Sequence, residues 1–99
     1  MYFLRFVALP KEGSDQYGDV GGAYVNCWIN TEDEEEAERF ARRFLSESGW
    51  TIEERGESHP TSLEDALESD HDLQYYQEAE EHGSSFVFHT WPFGSVEDL

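Results

Sequence analysis

Apolar and polar residues alternate from Ala23 to Asn30. Ala23, Val25, Cys27 and Ile29 share one face of a strand, and Tyr24, Asn26, Trp28 and Asn30 share the other. The period then changes. Ala37, Phe40, Ala41, Phe44 and Leu45 recur at i, i+3, i+4, i+7 and i+8, which predicts an amphipathic helix with one buried stripe. Thr31 stands where an N-cap is needed, with Glu34 positioned to close a capping box. The acidic run from Glu32 to Glu36 suits the positive end of the helix dipole, and Arg39, Arg42 and Arg43 lie towards the other end. Glu35–Arg39 and Glu38–Arg42 are spaced for i,i+4 pairing with the acid first. Gly49 ends the helix as a left-handed residue, and Trp50 to Arg55 alternates again as a strand. A strand, helix and strand joined this tightly predict a right-handed crossover between parallel strands. The small apolar face of Val25, Cys27 and Ile29 belongs under the helix, which turns Tyr24 and Trp28 away from it.

Tyr2 to Leu9 is apolar on both faces apart from Arg5, so it reads as an interior strand. Pro10 to Gly22, with four glycines, is a long turn. The spacing of Gly13 and Gly18 has the look of a phosphate loop, but no Lys-Ser/Thr follows, and Asp15 and Asp19 repel phosphate. After His59-Pro60, Thr61 or Ser62 caps a short helix with Leu63, Ala66 and Leu67 inward. Ser69-Asp70 interrupts the period, and Leu73, Tyr76 and Ala79 restart it, giving two short helices or one bent helix closed by Gly83. Ser84 to Pro92 is the last strand, with Phe86, Phe88 and Thr90 on one face and Val87, His89 and Trp91 on the other. Phe93 to Leu99 reads as a tail, leaving residues 1–92 as the ordered core of one domain spanning 1–99.

The predicted order is β-β-α-β-α-β. It corresponds to an α+β two-layer sandwich: a mixed sheet of about four strands with two helices on one face, of ferredoxin-like character but without the standard ferredoxin order. The face away from the helices carries Tyr24, Trp28 and either His89 with Trp91 or Phe86 with Phe88. An aromatic sheet face in water calls for a cover, and a second copy is the simplest, so a homodimer is expected.

Composition changes this picture in two respects. Hydrophobic residues make up only 37%, but aromatics reach 15%, so the core is aromatic rather than aliphatic and the chain is not disordered. The formal net charge is −17, and residues 53–82 hold 11 acids against one base. That field repels phosphate backbones and anionic lipid, which argues against nucleic acid and membrane as partners. A single lysine beside 23 acids fits high solubility or a salty cytoplasm. The sharper alternative is a basic protein partner for the surface of Glu53, Glu54, Glu57, Glu64, Asp65, Glu68, Asp70 and Asp72. The lone Cys27 excludes an internal disulfide. Met1 to Leu9 lacks a basic flank and a cleavage site, so it reads as a strand and the protein as cytoplasmic.

Candidate chemistry is sparse. His59, His71, His82 and His89 form neither HExxH nor a Cys/His knuckle, so no metal and no cofactor are expected. Asp70, Asp72, Gln74 and Glu81 fit a calcium loop, but Tyr75 stands where glycine is required. Cys27, mid-strand on the core face, reads as an inert hydrophobe, and no Gly-x-Ser-x-Gly elbow occurs. The one surface constellation is Tyr24, Trp28, His89 and Trp91, which share a face if the second and fourth strands are neighbours.

Two runs, Tyr24-Val25-Asn26-Cys27-Trp28-Ile29 through to Gly49-Trp50, and Tyr75-Tyr76-Gln77-Glu78-Ala79 through to Phe86–Pro92, resemble a family of small uncharacterised bacterial proteins of about a hundred residues. The resemblance implies a compact bacterial domain and no activity. Three functions follow as expectations: a non-enzymatic homodimeric interaction module, an immunity-type inhibitor of a basic partner such as a nuclease, and a small enzyme or ligand binder using the aromatic face.

Overall fold

The computed structural model describes residues 1–93. The tail predicted for 93–99 therefore lies outside the described residues except for Phe93. Strands β1 (Tyr2–Pro10), β2 (Val20–Ile29), β3 (Trp50–Pro60) and β4 (Ser84–Pro92) form one sheet in the order β3-β1-β2-β4. Helix α1 (Glu34–Glu47) joins β2 to β3, while α2 (Leu63–Ala66) and α3 (Asp70–His82) join β3 to β4. No described helix is long and apolar enough to cross a membrane.

Every neighbouring pair is antiparallel, so the expected mixed sheet is not what forms. The reason is β1. Apolar on both faces and suited to an interior place, it pairs with β2 on one side and β3 on the other. The strands flanking α1 run parallel but do not touch, because β1 lies between them.

Leu4, Phe6, Ala8, Ala23, Val25, Cys27, Ile29 and Trp50 form one sheet face under Ala37, Ala41 and Leu45 of α1. Phe6 and Leu4 are the largest fully buried side chains. The alternation read in β2 holds residue by residue. The helix starts later than expected: Asp33, not Thr31, is the N-cap, its Oδ1 accepting from Glu35 N at 2.9 Å. Thr31 Oγ1 instead accepts from Asp33 N, which fixes the entry into the cap. Gly49 is left-handed, with φ +92, as its position after the helix requires.

The expectation of both helices on one face is corrected. A second cluster on the opposite face joins Phe3 and Trp28 of the sheet to Ala66 of α2 and to Tyr76 and Ala79 of α3. The reason is compositional: one end of that face is apolar (Phe3, Trp28, Val87) and must be covered, whereas the other end carries Arg5, Asn26 and His89 and can stay wet. The one-sided helical layer of a ferredoxin-like sandwich is therefore not the arrangement here. Ser62 caps α2, Ser69 caps α3, and Gly83 closes α3 in the left-handed region. Of the three residues expected inward on α2, Ala66 alone is buried, and Leu63 and Leu67 are exposed.

Candidate functional site

β2 and β4 are neighbours, with Tyr24 opposite His89 and Gly22 opposite Trp91. Three of the four residues in the predicted constellation therefore share the bare end of the second face. The Tyr24 and Trp91 rings sit 5.1 Å apart at 55°. Trp28 does not belong with them. It is 4% exposed, stacked on Tyr75 of α3 at 5.4 Å and edge-on to Phe3 at 5.1 Å. The chain covers Trp28 with its own helix, so this residue gives no reason for a second copy.

Arg5 occupies the middle of the same face. Its Nε donates to Asn26 Oδ1 at 2.8 Å, its Nη1 lies 2.9 Å from Glu57 Oε1, and its guanidinium stands over the Phe3 ring. Two shallow cavities meet at Arg5 and Asn26. One, of about 390 Å³, is completed by Tyr24 and His89. The other, of about 340 Å³, runs under α2 and is bordered by Glu57, His59, Asp65, Glu68 and Asp72. Half of the predicted acidic surface is thus gathered around one hollow. Glu53 and Glu54 stand apart on the exposed part of β3. Glu64 and Asp70 line neither cavity; they lie in the first turns of α2 and α3, where negative charge meets the helix dipole.

A third surface was not legible as such. Phe40 and Phe44, expected in the buried stripe, are 46% and 38% exposed. Both rings lie against Phe86 of β4, Phe44 at 4.0 Å and nearly parallel, while Phe88 stacks on Trp50 at 5.4 Å. Alanines at 37 and 41 bring the helix close to the sheet, and the two phenylalanines, one step round the helix, are left leaning over the outermost strand. The signal available in the sequence was the small size of Ala37 and Ala41 beside the large Phe40 and Phe44. What it lacked was the knowledge that β4 is a border.

Cys27 is fully buried, and burial pushes its thiol well above the ordinary range, where it stays protonated. Among the described residues no three His, Cys, Asp or Glu side chains converge to hold a metal. The calcium-loop spacing from Asp70 to Glu81 falls inside α3. No family model, no curated protein and no solved structure matches this chain.

Proposed function

We propose that the chain is a non-enzymatic interaction module that associates with itself. One observation carries the reading: Phe40, Phe44 and Phe86 form an aromatic ridge, partly in water, along the border strand of the sheet. Exposed apolar ridges of this kind are characteristic of association surfaces. Tyr24 of β2 and Trp91 of β4 add aromatic surface on the opposite face of the sheet. Sedimentation equilibrium on the purified chain tests the reading. A dimer at micromolar concentration is the expected result, weakened by Phe44→Glu; a monomer throughout an accessible concentration range would end it.

A second reading has its own observation. Residues 61–82, which build α2 and α3, contain eight carboxylates and neither lysine nor arginine. Such a surface suits a basic protein, in the manner of an inhibitor, with association that is fast and weakened by salt. Titration with a basic nuclease at low and high salt checks this: no binding at low salt removes the support.

A further inference from the structure

We propose that two copies join β4 to β4, antiparallel, so that two four-stranded sheets become one of eight, and that ionic strength sets how far the joining goes. This rests on the self-association proposed above and specifies its surface and its control.

The two borders of the sheet are built differently. β3 carries Glu53, Glu54, Arg55 and Glu57, and its register with β1 slips twice, between Leu4 and Phe6 and between Val7 and Ala8. Charge and irregularity are the devices that keep a border strand from pairing with another chain. β4 lacks the charge, and its register with β2 shifts only once, between Val20 and Gly22, at the end that Pro92 closes. From Ser84 to Pro92 it holds no acid, lysine or arginine, and Phe86, Val87, Phe88, Thr90 and Trp91 favour extended pairing. Among the described residues its backbone pairs with β2 alone.

Charge decides the occupant. The stretch from Gly83 to Val96 is the longest in the chain without a carboxylate. A basic partner is drawn to the acidic α2–α3 side, not to this neutral strand. Two copies at −17 each repel over most of their surfaces, and of the two borders β4 alone lets them meet without opposing carboxylates. An isologous antiparallel pair keeps like faces on the same side. Centred on Phe88, it sets Phe86 opposite Thr90 of the second copy, and the ridge of Phe40, Phe44 and Phe86 meets its counterpart. The other face gains as well. α3 covers the Ser85 end of β4, where Glu78 accepts from Ser85 Oγ, and so comes to flank the bare His89 and Trp91 end of the second copy. Added salt screens the repulsion between copies and leaves the backbone pairing intact, so the dimer strengthens with salt. A complex with a basic partner does the opposite.

The test is sedimentation equilibrium of the full chain at about 0.05 and about 0.5 M salt, with amide exchange of β4 followed against concentration. Thr90→Glu on β4 and Thr51→Glu on β3 both alter exposed residues, and circular dichroism verifies that each variant folds. The expected result is a dimer whose Kd falls roughly tenfold at the higher salt. Alternate β4 amides should slow as the dimer fills. Thr90→Glu should raise Kd by about tenfold or more, while Thr51→Glu leaves it within about twofold. A dimer indifferent to Thr90→Glu, or broken by Thr51→Glu, or without slowing at β4, overturns the inference and leaves self-association standing. A dimer that loosens with salt overturns the control by ionic strength. A monomer at both salts overturns both proposals: slow β4 amides would then mean that the chain covers its own border, and fast ones that the border stays in water.

Discussion

The indole of Trp91 lies on the bare backbone of Gly22, its partner across the β2–β4 ladder. A Cβ added at Gly22 would stand 2.3 Å from Trp91 Cζ2, and one at Gly21 would stand 2.8 Å from Cδ1 and Nε1 of the same ring. Glycine in a strand interior weakens it, and an aromatic side chain laid across the gap restores the lost packing. Trp91 is therefore held in place by the strand as well as displayed beside Tyr24.

Gly22→Ala should expel the Trp91 ring, because a ring atom at 2.3 Å cannot yield by small adjustment. The cost expected is about 1–3 kcal/mol, the range for forcing an extra methyl into a packed site. Urea denaturation measures the loss, and a shift in tryptophan emission reports the displaced indole. Unchanged stability and emission would mean that the ring does not rest there.

Trp28 is a core residue of the second face, so substitution there tests folding rather than association. Trp28→Ala leaves Phe3 and Tyr75 without their shared partner and should cost about 3–5 kcal/mol. Trp28→Glu buries a charge and should leave the chain unfolded in far-ultraviolet circular dichroism. A folded Trp28→Glu protein would show that α3 does not cover this position.

Lys11, the single lysine, reaches across to the end of α1. Its Nζ donates to the Ser46 carbonyl at 3.0 Å and to Ser46 Oγ at 2.9 Å, and its own N–H donates to Gly49 O. The last turn of α1 has no basic residue of its own. Lys11→Met should remove about 0.5–1 kcal/mol, the worth of a cation at a partly exposed helix C-terminus. Thermal melts at low and high salt check the assignment, since the difference between the proteins should shrink as salt rises.

Glu38 ties α1 to β3. Its carboxylate accepts from Arg42 Nε at 2.8 Å and from Arg55, while Arg55 also approaches Glu34 at 3.5 Å. The Arg42 hydrogen bond, helped by Arg55 and opposed by partial burial, holds the Glu38 carboxyl below its ordinary value of 4.5. A lowered folded value gives stability that is present above the unfolded value and is lost as pH falls through the folded one. Glu38→Gln should therefore be less stable than the parent at neutral pH, and the gap should close below 4.5. Urea midpoints at about pH 7 and about pH 3 decide it, since every other carboxylate is common to both proteins. A gap of equal size at both values would sink the ionic explanation.

The alternation in β2, the period of α1 and the glycines at 49 and 83 are local, and local sterics settle them. Hence Val25, Cys27 and Ile29 could be assigned to the face under α1, and Tyr24 and Trp28 to the other, from the sequence by itself. Which side each helix takes, and which strand ends up as a border, are decided by contacts between segments far apart in the chain. Tyr75 meets Trp28 across 47 positions, and Lys11 meets Ser46 across 35. No period of 2 or 3.6 encodes such pairs, because each depends on where whole elements come to rest. The same holds for Phe40 and Phe44: their spacing announces a helix stripe, but their place over β4, the last strand of the sheet among the described residues, leaves their rings half in water.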